Sequence, residues 1–144
     1  MIVLDTTVLV YATGTDHPLR TPCRRLVDAV ADGALTATTT VEVIQEFAHV
    51  RARRRDHADA ATLACALTDL MAPLLPVTES ALRDGLASFS GGARIGAFDA
   101  VLAAAALAAG ADAVVSADTA FAEVTGLRLV VPSDEGVAGL LGQR

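Results

Sequence analysis

The chain opens Met1-Ile2-Val3-Leu4-Asp5-Thr6-Thr7-Val8-Leu9, an apolar run broken by one acid. Ile2-Val3-Leu4 has the composition of a short buried strand, and the β-branched Thr6, Thr7 and Val8 predict that the extended or turning path continues beyond it. Asp5 then stands at the strand's C-terminal end. The pattern returns along the chain: Leu35 to Thr38, the pair Leu74-Leu75 between Pro73 and Pro76, Ala113 to Ser116, and Leu127 to Val131 read as further strands. Between them lie helical stretches. Thr21-Pro22 predicts an N-cap with proline at the first helical position, and Gly33 a stop. Thr39 with Glu42 matches a capping box, followed by the apolar face Val43, Ile44, Phe47 and Val50. A helix is expected from about Asp56 to Leu70, another after a Thr78 cap, an Ala-rich one from Ala97, and a helical segment at the C-terminus. Ser88 to Gly96, with three glycines and two serines, reads as a mobile loop. Strands alternating with helices predict an α/β fold, a central, mainly parallel sheet of four or five strands flanked by helices.

At 144 residues, without repeat, linker or low-complexity tail, residues 1–144 are expected to form a single domain. The 53% hydrophobic content is inflated by alanine. No apolar run reaches the roughly 18 residues of a membrane span, and no basic segment precedes the opening strand. A soluble, cytoplasmic protein is expected, with no membrane partner. Cys23 and Cys65 lack CxxC spacing and read as buried free thiols. A formal net charge of −6 argues against coating nucleic acid through bulk electrostatics. Positive charge is instead local, in Arg51, Arg53, Arg54 and Arg55 and in a second cluster, Arg20, Arg24 and Arg25.

Four acids stand out by position. Asp5 and Asp118 follow strands, Asp99 opens the Ala-rich helix, and Glu46 lies on the helix after the second strand. In parallel sheets the carboxyl ends of strands, with the loops and helix N-termini beside them, form the ligand edge. Two carboxylates about 5 Å apart repel by roughly 3 kcal/mol at an effective dielectric near 20, so a shared pocket calls for a cation. Oxygen donors without clustered histidines suit Mg²⁺ or Mn²⁺, and His17, His49 and His57 have no zinc-like spacing. Taken singly, each acid also has an ordinary reading: Asp5 as an Asx-turn, Asp99 as a helix-dipole partner, Asp118 as a cap for Thr119 to Glu123, Glu46 paired with an arginine. The set carries the information. Glu42 competes with Glu46, but the capping box gives Glu42 a structural role, and Glu46 lies between Ile44 and Phe47 one turn deeper.

These residues resemble the PIN domain, and specifically the VapC-type toxins of bacterial toxin–antitoxin pairs. The resemblance rests on Val3-Leu4-Asp5-Thr6-Thr7-Val8-Leu9, Val43-Ile44-Gln45-Glu46-Phe47, the stretch Gly96-Ala97-Phe98-Asp99-Ala100-Val101-Leu102 with its following alanines, and Val115-Ser116-Ala117-Asp118-Thr119-Ala120-Phe121. It spans nearly the whole chain. It implies a single PIN-like domain and a metal-dependent endoribonuclease in which Asp5, Glu46, Asp99 and Asp118 line a Mg²⁺ site, Mn²⁺ being the other candidate. Thr7 and Ser116 fall at hydroxyl positions that orient carboxylates or water. Relatives place a small polar residue six before the functional glutamate, which is Thr40 for Glu46 and Thr36 for Glu42. The resemblance also implies an RNA substrate, a cognate VapB-like antitoxin that occludes the site, and a homodimer. Arg51, Arg53, Arg54 and Arg55 are candidates for the RNA backbone, against a solvated helix end. With one tyrosine and four phenylalanines, base stacking cannot be extensive, so specificity is expected from RNA shape and phosphate positions. Two rival readings remain: a haloacid-dehalogenase-like phosphatase, which shares the opening strand and its acid but expects a second aspartate where Thr7 stands, and a non-catalytic acidic binding module whose acids are only caps and surface pairs.

Overall fold

A computed structural model describes residues 1–142. Four short strands, β1 (Ile2–Leu4), β2 (Ala37–Thr38), β3 (Ala113–Val115) and β4 (Leu129–Val130), form one parallel sheet in the order β2-β1-β3-β4. Seven α-helices flank it: α1 (Thr6–Thr13), α2 (Arg20–Ala31), α3 (Val41–Ala52), α4 (His57–Met71), α5 (Glu79–Ser90), α6 (Ala97–Ala108) and α7 (Asp134–Gly142). The sheet is sealed on both faces, because Val3, Val114 and Val115 are wholly inaccessible and Phe47 and Phe121 fill the space beside them. This is the expected α/β architecture, and near-continuous apolar strands are what a sheet buried on both sides requires. Ile2 pairs with both Ala37 and Ala113. That register aligns the C-terminal ends of β1, β2 and β3, so Asp5, Thr39 and Ser116 emerge at one edge.

Several local expectations are corrected. Thr6 to Val8 is not extended but opens α1, because Asp5 caps it by accepting from Thr7 N, while Val8, Leu9 and Ala12 gain burial on its inner face. Capping and burial outweigh the β-branched preference. α2 begins at Arg20, before the expected Thr21 cap; Pro22 becomes its third residue, where a missing N–H still costs nothing. The cap of α3 is Thr40, accepting from Val43 N at 3.4 Å, whereas Thr39 Oγ1 donates to Leu4 O at 2.6 Å. No capping box therefore involves Glu42. Leu74-Leu75 forms no strand, only a bridge between Leu75 and Thr40, since Pro73 and Pro76 remove the flanking donors. Ser88 to Ser90 belong to α5; the loop after it is anchored by Arg94, whose backbone N and Nε both donate to Glu123. Cys23 is buried, with its thiol pushed up to about 12 by desolvation, but Cys65 is exposed: α4 faces the core through Ala60, Ala64, Leu67 and Met71, and Cys65 points away.

α5 and α6 form a tight hairpin. A Cβ built on Gly85 would lie 2.6 Å from Val101 Cα, so only glycine permits this approach. The hairpin sets the outer wall of a cavity that Asp5, Glu46 and Asp99 reach.

Candidate active site

Asp5 is 4% exposed, a position a carboxylate holds only with donors around it. Thr7 Oγ1 and Ser116 Oγ each donate to its Oδ2 at 2.7 Å, and Thr7 N adds a longer bond at 3.3 Å. All three converge on one oxygen. Oδ1 is left, among the described residues, for a ligand. The two hydroxyls are themselves held, Thr7 Oγ1 by Ala117 N at 3.0 Å and Ser116 Oγ by Asp118 N at 3.0 Å. The first turn of α1 and the end of β3 are thus knitted through Asp5.

The remaining acids come from three other elements. Glu46, in the second turn of α3, accepts from Thr6 Oγ1 at 2.6 Å. Asp99 lies in the first turn of α6, and Asp118 caps the single 3₁₀ turn Thr119–Glu123 by accepting from Ala120 N at 2.8 Å. The carboxyl of Asp99 is pushed up to about 7, first by burial and then by the negative charges of Asp5, Asp118 and Glu46. Three acids from distant parts of the chain therefore act on Asp99. A cavity of about 480 Å³ opens between α3, α5 and α6, and Asp5, Glu42, Glu46 and Asp99 reach it. Glu42 faces that cavity, yet it is not among the charges that raise Asp99, which separates it from Glu46. Asp118 does not line the cavity; it is exposed at its side.

The ordinary readings of Asp5 and Asp118 hold as well, since each caps the element that follows it with one oxygen. A capping carboxylate keeps a second oxygen free, so the two roles coexist. Among the described residues no three acids are already gathered in cation-binding geometry. The donor set is nonetheless all oxygen, and the mutual repulsion that raises Asp99 is what a divalent charge relieves, so these residues fit a hard cation.

Thr6 had no assigned role in the sequence, because the stretch carrying it read as extended; once it begins a helix, its hydroxyl reaches Glu46. The apolar walls of the cavity, Leu82, Leu86 and Phe98, were equally unassigned, and Phe98 is 80% exposed. Arg51 is engaged elsewhere. Its Nε donates to Asp59 Oδ2 at 2.6 Å and its Nη1 to Thr13 O at 2.8 Å, which raises its pKa and lowers that of Asp59.

The family model described as PIN domain matches residues 2–127. Ribonuclease VapC7 of Mycobacterium tuberculosis strain ATCC 25618 / H37Rv is 54% identical over 145 aligned positions, covering the whole of both chains. Ribonuclease VapC23 of strain CDC 1551 / Oshkosh is 40% identical over 73 residues, covering 49% of this chain and 58% of that protein.

Proposed function

This chain belongs to the PIN-domain family, and we propose that it is an endoribonuclease of the VapC type, the toxin of a toxin–antitoxin pair, using its acidic cavity to hydrolyse RNA phosphodiester bonds. The observation that carries the reading is that Asp5, Glu46 and Asp99 reach one cavity and Asp118 is tied to Asp5 through Ser116, so that burial and then the charges of Asp5, Asp118 and Glu46 raise Asp99.

Asp5 and Asp99 would hold a divalent cation, Mg²⁺ or Mn²⁺, with Asp118 completing the oxygen set and Glu46 binding or orienting the attacking water. Such a cation supplies charge neutralisation on the phosphate and a more acidic water. The chain's own part is positioning. Thr7 and Ser116 fix Asp5 through Oδ2 so that Oδ1 points to the ligand, and Thr6 holds one Glu46 oxygen, leaving the other for water. The apolar walls limit water around the reacting phosphate.

The partners follow from the same reading. Phe98, Leu82 and Leu86 are large exposed apolar side chains that line the cavity, suited to being covered by a VapB-like antitoxin and by a second copy of the chain. No helix among the described residues is long and apolar enough to cross a membrane. A cytoplasmic site of action fits an RNA substrate.

The test is cleavage of single-stranded RNA by the purified chain. Activity should vanish with chelator, return with Mg²⁺ or Mn²⁺, and be absent in Asp99→Asn at unchanged far-ultraviolet circular dichroism. Full cleavage by Asp99→Asn removes the proposal.

A further inference from the structure

The geometry points to a second RNA-binding surface, at the far ends of α1 and α3, where Arg53, Arg54 and Arg55 hold backbone phosphates of the strand being cleaved. The inference rests on the ribonuclease reading and adds to it where the strand runs beyond the acidic cavity.

The acids that serve the reaction repel RNA, and the chain as a whole carries −6, so binding must draw on cations placed elsewhere. The chain contains no lysine, and most of its arginines are committed. Arg20 pairs with Asp16, Arg25 with Asp134, Arg51 with Asp59, Arg83 with Glu79 and Arg94 with Glu123, while Arg128 has its own partner. Among the described residues the arginines without an ion pair are Arg24, Arg53, Arg54 and Arg55. Three of these four are consecutive, and all three are exposed.

Their setting is built. The end of α1 and the end of α3 enclose a cleft of about 250 Å³ that includes Thr13, Gly14, Thr15, Arg51, Arg54 and Arg55. Helix C-termini carry partial negative charge, which would disfavour an anion. Arg51 answers that charge by donating to Thr13 O, and Asp59 balances Arg51 in turn. Arg53 and Arg54 are therefore surplus charge, and Arg55, which has no ion pair, acts on Asp59 only from a distance. The backbone N–H groups of Arg54 and Arg55 both bond to Arg51 O, which closes the turn and presents the side chains outward.

The cleft and the acidic cavity lie along one helix pair. Thr6 meets Glu46 at one end of α1, and Thr13 meets Arg51 at the other. Glu46 to Ala52, the last residue of α3, is six residues, about 9 Å at the helical rise of 1.5 Å, and Arg53 to Arg55 follow directly. A strand at about 3.4 Å per nucleotide covers that span in roughly three nucleotides. The arginines thus hold phosphates a few nucleotides from the bond that is cut, and short substrates do not reach them.

The test compares the full chain with its Arg53→Gln/Arg54→Gln/Arg55→Gln variant on two substrates: a labelled single-stranded RNA of about 30 nucleotides, and bis(p-nitrophenyl) phosphate, a phosphodiester too short to reach from the acids to the arginines. Once the three guanidinium groups no longer neutralise phosphates, the slope of log affinity against log salt should become shallower by about 2, from about 0.7 per phosphate on a single strand. The Kd for the RNA should rise at least tenfold at low salt, and Arg→Lys at the three positions should retain binding. Hydrolysis of the small diester should stay within twofold of wild type, which also shows that the variant is folded. Wild-type RNA affinity and salt slope in the glutamine variant overturn the inference. If those stay unchanged while only the complex with an antitoxin weakens, it is likewise overturned and the cleft belongs to an acidic protein. Arginine-dependent RNA binding by a wild type that cleaves neither substrate supports the arginines as an RNA-binding surface and removes the ribonuclease reading, and with it their place along a cleaved strand.

Discussion

Ser116 Oγ donates to Asp5 Oδ2 at 2.7 Å across 111 residues of sequence, joining the end of β3 to the end of β1 at the mouth of the site. The bond exists because the two strands pair in register, Leu4 beside Val115, so their next residues leave the sheet together. Ser116 is wholly buried, and its loss takes one of three donors from Asp5 Oδ2 and leaves the Asp118 N–H without its acceptor. Ser116→Ala is expected to cost about 1–3 kcal/mol, the range for losing hydrogen bonds of which one is to a carboxylate. Urea unfolding checks it, as a lower midpoint at constant m-value.

Thr6→Val should separate catalysis from binding. Removing a hydrogen bond to a carboxylate costs about 1.5–3 kcal/mol, which corresponds to roughly tenfold or more in rate if Glu46 acts on the reacting water. We expect kcat on RNA to fall by that factor with KM little changed, and Thr6→Ser to restore it. An unchanged kcat would leave the bond a purely structural link between α1 and α3.

Asp99 makes stability depend on pH in the direction opposite to an ordinary paired carboxylate. Its folded pKa, about 7, lies above its unfolded value, so the folded chain binds more protons between the two. Its contribution is fully present below about pH 4 and is lost as pH rises through about 7. Chelated wild type should therefore lose thermal stability between pH 5 and 8 relative to Asp99→Asn, in which that slope disappears. Added Mg²⁺ should raise the midpoint more at pH 8 than at pH 5, because protons compete for the same oxygens. Parallel pH profiles for the two proteins would contradict the electrostatic neighbourhood.

Gly85→Ala tests the hairpin that walls the cavity. The new Cβ meets Val101 backbone at 2.6 Å, which flexible side chains cannot relieve, so α5 must shift from α6. Overpacking of this kind costs about 1–3 kcal/mol. The variant should unfold at lower urea, and RNA cleavage should weaken with it; a neutral substitution would mean that the helices part without consequence.

The parallel α/β architecture was legible because apolar β-branched runs alternate with helical patterns, and the caps Asp56 and Thr78 lie where the residue types place them. Short-range signals failed where long-range contacts decide. Thr6 to Val8 has strand composition, yet the Asp5 cap and the burial of Val8 and Leu9 make it helical. Arg51 reads as one of a basic run, but Asp59, across the turn into α4, removes it from that set. Asp5, Asp99 and Asp118 stand out by their positions at strand ends and a helix start, and Glu46 by its place between Ile44 and Phe47 in the helical pattern after the second strand. What no spacing reveals is how each carboxylate is held, since Thr7, Ser116 and Thr6 act through pairings set by the sheet register and by the packing of α1 on α3.

The most direct measurement of whether these carboxylates jointly hold a divalent cation is calorimetric titration of Mn²⁺ or Mg²⁺ into the chelated full chain and into Asp5→Asn. Saturable binding by wild type, weakened at least tenfold in Asp5→Asn, is the predicted result. Absence of divalent binding by the wild type, or equal binding by both proteins, would contradict it.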